Sequence, residues 1–303
     1  MARTDEDAGA RLARVLFPEL AADLDAALAG GGGGAEQDFD EWLDGRAEAV
    51  RTELGGAAFG DVGDGGARER FERAFAAART VAGWVGLRVP EPEAFASAGV
   101  DFARLGAALA ADPTLAPVVA PYGLGPDGWR ELFGRAAGEE RSPLAAPGAA
   151  GGAAGGAAGG AAPDAHPLVL AREAEREFAL LDAVPDRSVA VLPGAARSDA
   201  VRWTLRLVPA GLAPAVLGLS FEHGPHASLP EMLMLQLIRV VCGEPLVDAR
   251  SFTWLAGALA EGRLAARHVY DSDERVVRIN CREVGNQGPH LGARPPVGDV
   301  FVR

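Results

Sequence analysis

Lysine does not occur in this sequence, and all 29 basic residues are arginine. That absence excludes a Schiff-base lysine and a phosphate-loop lysine, with the chemistry that depends on either. Cysteine is nearly absent as well. Cys242 and Cys281 are too few for a secreted fold framed by disulfides. No apolar run reaches the ~20 residues that a membrane helix needs. The first residues, MARTDEDAGARLARVLF, are charged and lack the continuous apolar core of a signal peptide. Together these absences lead us to expect a cytoplasmic protein without a membrane partner.

What is present is a globular composition in a chain long enough for two ordinary domains or one large one. The formal net charge is −13. It is concentrated in residues 1–143, which hold 25 acids against 14 arginines; residues 144–303 hold 17 against 15. Such an acidic half argues against nucleic acid as a partner, because nonspecific duplex binding needs a basic footprint.

The stretch Ala215–Glu244 is the clearest local signal. Ala215, Leu217, Leu219 and Phe221 alternate with Val216, Gly218 and Ser220 at the period of a strand. Ser228 then stands three residues before Glu231, the spacing of a capping box, and Pro230 fits the first helical turn. From Leu229 to Val241 the helix is apolar almost all round, broken only by Gln236 and Arg239, and Gly243 supplies its stop. A helix of that pattern is buried on more than one side.

Elsewhere the N-terminal half reads as helical, with leucines every four residues from Leu12 to Leu28 and apolar stripes over Glu36–Leu54 and Ala67–Val85. Shorter helices fit Asp101–Ala111 and Trp129–Ala137, and the proline-punctuated Pro113–Gly128 reads as a long loop or an extended strap. The Gly/Ala tract in residues 144–164 reads as a flexible linker. Beyond it we expect an amphipathic helix over Leu168–Leu181, a short strand at Ser188–Leu192 and a strand at Val201–Val208 with Arg202 and Arg206 on a wet face. A second helix is expected over Ser251–Glu261, and a hairpin of Ala265–Tyr270 with Arg275–Cys281. The expected fold class is therefore α+β: an acidic all-helical bundle over 1–143, a linker over 144–164, and over 165–303 a two-layer α+β domain with a mainly antiparallel sheet. The strand Ala215–Phe221 is expected beside Val201–Val208.

Three constellations carry possible chemistry. Glu222, His223 and His226 lie on the loop before the apolar helix, and an enzyme of hydrolase or transferase type would work there. The HxxH is interrupted by Gly224 and Pro225, which gives poor bite geometry, so no metal or other cofactor is expected. Cys281 is a candidate nucleophile near His268 and His290. Its alternation with Ile279 instead places it on the packed face of a strand. The tail Gly285–Gly298 presents Asn286, Gln287, His290 and Arg294 between glycines and prolines, which suits a recognition loop. A sensor of small anions built on Arg202, Arg206, Arg267, Arg275, Arg278 and Arg282 is a further possibility. With no assembled catalytic set, the reading that fits best is a non-catalytic accessory or scaffold protein that binds a protein partner through residues 165–303. The sequence does not specify its oligomeric state.

Overall fold

A computed structural model describes residues 58–145, 166–184, 190–194, 200–216, 226–284, 288 and 290–298. All lie within one unit, Ala57–Arg303. The helices expected before residue 57, most of the Gly/Ala tract and residues 217–225 lie outside the described residues.

The chain begins with α1 (Gly65–Gly83), whose N-cap Asp64 accepts from the Ala67 N–H. Phe71, Ala74, Phe75, Ala78, Val81 and Ala82 form its buried stripe, and Glu69 and Arg73 pair on its outer face as the spacing predicts. The short α2 (Pro92–Ser97) and α3 (Phe102–Ala111) follow, the latter capped by Asp101. Phe59, Phe71, Phe75, Phe95 and Phe102 stack into an aromatic knot that holds these three helices together.

Strand β1 (Leu115–Tyr122) corrects the expectation of a purely helical first half. It pairs antiparallel with β4 (Arg202–Pro209) along its whole length. Its prolines at 117 and 121 hide it in the sequence, and they are tolerated because β1 is the edge of its sheet. After it come α4 (Gly125–Ala137), β2 (Leu168–Leu170), the short α5 (Arg172–Arg176) and α6 (Phe178–Leu181), and β3 (Leu192–Pro193). The single helix expected over Leu168–Leu181 is thus a strand and two short turns of helix. Leu168 and Leu170 face the core because β2 pairs parallel with β8 (Val276–Glu283).

Next are β5 (Ala215–Val216), α7 (Leu229–Cys242), β6 (Phe252–Leu259), β7 (Leu264–Asp271), β8 and β9 (Leu291–Ala293). The strands form a three-stranded antiparallel sheet, β1-β4-β3, and a six-stranded mixed sheet, β2-β8-β7-β6-β9-β5. The fold is a mixture of helix and sheet with antiparallel and mixed strands.

Helix α7 is as the sequence predicts. Ser228 and Glu231 form a complete capping box, Pro230 occupies the first turn, and Gly243 ends the helix at φ 67°, where a side chain would be strained. Leu229, Met232, Leu233, Met234, Leu235 and Leu237 are all buried. At about 1.5–3 kcal/mol for each large apolar side chain, this helix carries much of the hydrophobic stabilisation. The expected hairpin is also present as β7 and β8 in continuous register from Leu264↔Glu283 to Asp271↔Val276.

Other expectations are overturned. The segment expected as a second helix over Ser251–Glu261 is strand β6. Leu255 and Leu259 are four apart, which is one helical turn and also two strand repeats, so the spacing fits both. β5 pairs with β9, not with β4. The tail that its glycines and prolines seemed to exclude from regular structure contributes β9, which runs between β5 and β6. Gly292 makes this possible: a Cβ there would lie 2.2 Å from the Ala215 carbonyl oxygen. Arg206 does not face water; it is buried against Glu231.

The division at residues 144–164 is corrected too. β1 and α1 come from before the Gly/Ala tract, yet β1 pairs with β4, and residues from both sides share one apolar cluster. Leu144, at the start of the expected linker, is buried, and Arg275 binds the carbonyls of Ser142, Pro143 and Leu144. A chain cut once between Ala145 and His166 should therefore elute from gel filtration as one complex and melt in a single transition. Separation of the two pieces without denaturant would contradict this shared core.

Candidate functional site

Six polar side chains from distant parts of the chain meet in the interior. Asp248 follows α7 in a left-handed conformation, φ 63°, which aspartate tolerates better than most residues. Its Oδ1 accepts from Arg294 Nη2 at 2.6 Å and from Ser251 Oγ at 3.3 Å. Its Oδ2 accepts from Thr253 Oγ1 at 2.7 Å and pairs with His268 Nδ1 at 2.9 Å. Thr253 Oγ1 in turn accepts from Arg294 Nε, closing a ring. Asp248, Thr253, His268 and Arg294 are each 0% exposed.

Gln236 of α7 completes the set and orients the imidazole. Its amide exchanges two hydrogen bonds with the backbone of Val247, which fixes which end is oxygen and which is nitrogen. The remaining amide hydrogen points at His268 Nε2, 3.1 Å away, so that nitrogen accepts and Nδ1 carries the proton donated to Asp248. Burial would push the Asp248 carboxyl up, but the hydrogen bonds from His268 and Arg294 and the charge of Arg294 outweigh it and hold it below the usual aspartate range. A second buried set lies at the other end of α7. Arg206 binds Glu231 through two nitrogens at 2.5 and 2.6 Å, Glu231 binds Ser228, and Tyr122 meets Ser228 Oγ at 2.7 Å. Burial is the main cause that pushes the Tyr122 hydroxyl far above its ordinary value.

The Asp248 set also fixes the loops that shape the surface. Arg294 Nη1 donates to the carbonyls of Pro209 and Gly211, and the Asp248 N–H donates to Leu212 O. Leu212, 62% exposed, stands as a ridge between two concavities. One, of about 540 Å³, is lined mainly by apolar groups including Leu212, Ala213, Pro214, Pro245 and Leu246, with Arg250, Ser251 and His290. The other, of about 390 Å³, lies between α1, α7 and the end of β1, and Arg70, Arg73, Arg239 and Glu244 line it.

Those of the residues singled out in the sequence that are described, His226, His290, Arg294 and Cys281, are not brought together. Arg294, expected on an exposed recognition loop, is buried in the ionic ring, because four of its donor bonds are made inside the fold. His290 is exposed and lines the apolar groove, its backbone oxygen held by the Phe252 N–H. His226 is 4% exposed and lies beside β6, where its neighbour Ala227 bonds Ala256 and Arg294. Cys281 sits opposite Ala266 in β8 and packs against the core as its alternation with Ile279 suggests; burial pushes its thiol up. Glu222, His223, Asn286 and Gln287 lie outside the described residues. The expected arginine face does not assemble either. Arg278 pairs with Asp271, Arg275 binds carbonyls, and Arg267 stacks on Phe252 with its centre 3.9 Å from the ring centroid.

Asp248 and Thr253 were missed by sequence reasoning, and His268 was considered only as a neighbour of Cys281, not as a partner of Asp248. Gln236 left a signal only as one of two polar residues on an apolar helix. Among the described residues, no group of three or more His, Cys, Asp or Glu could hold a metal ion. No described helix is long and apolar enough to cross a membrane.

Comparison with known protein families, characterised proteins and solved structures finds no match. The reading of the site therefore rests on its own geometry.

Removing Arg294 would leave the Asp248 carboxylate buried without its cation. Arg294→Met should cost about 3–5 kcal/mol near neutral pH, measured by urea unfolding. The sign of the pH dependence follows from the depressed carboxyl. Its stabilisation is complete above the unfolded value, about pH 4, and is lost as pH falls through the lower folded value. The gap between wild type and Arg294→Met should therefore shrink as pH is lowered from 7 through the titration of the Asp248 carboxyl, because a protonated Asp248 no longer needs the cation. A gap that stays constant would show that the pair is not what the variant disturbs.

Proposed function

We propose that this is a cytoplasmic, non-catalytic accessory protein whose groove beside Leu212 holds a short segment of a protein partner. The partner segment carries an apolar side chain next to a carboxylate. The observation that carries this reading is that both walls of the groove hang from the buried Asp248–Arg294 pair, so the groove exists before a ligand arrives. Gly211 and Leu212 are bonded to Arg294 and Asp248, and Pro245–Ser251 includes Asp248 itself. A preformed surface avoids the ordering cost that weakens binding by flexible loops.

The lining explains the choice of partner. Leu212, Pro214 and Leu246 offer apolar contact, and among the described residues no carboxylate or thiol borders the groove. Arg250 is exposed and has no hydrogen bond to any described residue, and His290 stands opposite. An acidic residue in the ligand complements both, whereas a basic one would be repelled. Among the described residues the groove has a single histidine and no acid, and its one hydroxyl, Ser251, is bonded inward to Asp248, so the groove suits recognition better than bond breaking.

Selection of random displayed dodecapeptides against the full chain tests this. Enriched sequences should place Asp or Glu close to a bulky apolar residue. Leu212→Asp and Arg250→Glu should each weaken the selected peptides about tenfold while leaving the melting temperature unaltered. Failure to enrich any peptide, or equal binding to both variants, would overturn the reading.

A further inference from the structure

The concavity on the other side of Leu212 has different chemistry, and we propose that it binds an organic phosphate through the guanidinium groups of Arg70, Arg73 and Arg239. This site is separate from the peptide groove and does not depend on that reading.

Among the described residues three arginines and one acid, Glu244, line the cavity, so this lining carries an excess of two positive charges. The rest of the chain runs the opposite way, with a net charge of −13. Two of the three cations are held in place by backbone carbonyls, which in the case of Arg70 orient the charge without neutralising it. Arg70 donates to the carbonyl oxygens of Leu109 at 3.0 Å and Pro113 at 3.1 Å, and also to that of Leu115. Among the described residues, no carboxylate lies within ion-pair distance of it. Arg239 donates to the carbonyls of Pro245 and of Ala210 and meets Glu244 at 3.3 Å. Its Nη2 is left without a partner among the described residues. Arg73 touches only Glu69, at 3.5 Å on the exposed side of α1. Asp112, the other acid near Arg70, is turned to the N–H and hydroxyl of Thr114.

Like charges gathered around a cavity repel, and burial together with Arg73 lowers the pKa of Arg70. A dianion removes that repulsion, and the guanidinium fork matches the oxygen geometry of a phosphate. The cavity volume, about 390 Å³, lies in the about 300–1,000 Å³ range of small-ligand sites and exceeds what a bare phosphate fills. Ala74, Leu235, Ile238 and Pro117 supply apolar wall for the remainder of the ligand. The chemistry is that of a phosphate monoester carrying an apolar group.

Cys242 lines the same cavity and Cys281 does not, so the two thiols give an internal comparison. The probe is phenyl phosphate, added to the full chain at constant ionic strength. It should raise the melting temperature saturably and slow iodoacetamide alkylation of Cys242 by about fivefold or more, leaving Cys281 unchanged. Arg73→Gln, which alters an exposed side chain, should weaken the effect about fivefold without changing the melting temperature of the free protein. Arg250→Glu, in the peptide groove, should leave it intact. No saturation by about 10 mM probe, equal protection by sodium chloride, or unchanged binding by Arg73→Gln would each overturn the proposal. Inorganic phosphate binding as tightly as the phenyl ester would remove the organic part of the ligand and overturn it as stated.

Discussion

A carboxylate and a guanidinium taken wholly out of water must be paired, and the pairing of Asp248 with Arg294 constrains much of what surrounds it. Neither charge has solvent to fall back on. Both carboxylate oxygens and four of the five guanidinium donors are therefore bonded within the fold, to each other and to Thr253 from β6, His268 from β7, Ser251, and the carbonyls of Pro209 and Gly211. Such a set is stable only when complete, since a buried charge left half-satisfied is worse than an apolar side chain in its place. The consequence is mechanical. The loop after β4, the loop after α7 and the strand β9 are locked to one another, and the surface they make is correspondingly fixed.

Helix α7 links this constraint to the second ion pair. Glu231 in its first turn holds Arg206 of β4, and Gln236, five residues on, reaches His268 of β7. The apolar side chains between them provide the bulk of the burial. The polar contacts at these two points set the rotation of the helix and its height against both sheets, which non-directional apolar contacts alone do not specify. Arginine is used in three distinct ways around it: paired and buried at 206 and 294, bound to backbone carbonyls at 70 and 239, and stacked on an aromatic ring at 267. A lysine could not bridge several carbonyls at fixed angles as these forks do.

How much of this the sequence discloses depends on how local each cause is. The capping box of α7, the stop at Gly243, the start of α3 at Asp101 and the β7–β8 hairpin are set by residues within a few positions of one another, and all were legible. β1 was hidden because its prolines are excluded only from interior strands, and edge position is a property of the sheet. β6 was read as helix because Leu255 and Leu259 satisfy either period. Arg294 was read as a surface contact because arginine is usually exposed. What buries it is an aspartate 46 residues earlier and carbonyls more than 80 residues earlier, and no local pattern announces such partners. Likewise Arg70, Arg73 and Arg239 meet at a cavity only because α1 and α7 pack together.

The position of β9 between β5 and β6 has a kinetic side. It follows every other described strand in the chain, yet it occupies an interior place in the six-stranded sheet, with β6 parallel on one side and β5 antiparallel on the other. Until it inserts, both of those neighbours present unpaired edges, and Asp248 has no guanidinium. Closing contacts of such long sequence separation is slow compared with forming α7 or the β7–β8 hairpin. During that interval the exposed edges are open to pairing with another copy of the chain. The absence of a side chain at residue 292 therefore matters for more than space: it keeps the last strand's entry unobstructed and shortens the time the molecule is vulnerable to aggregation.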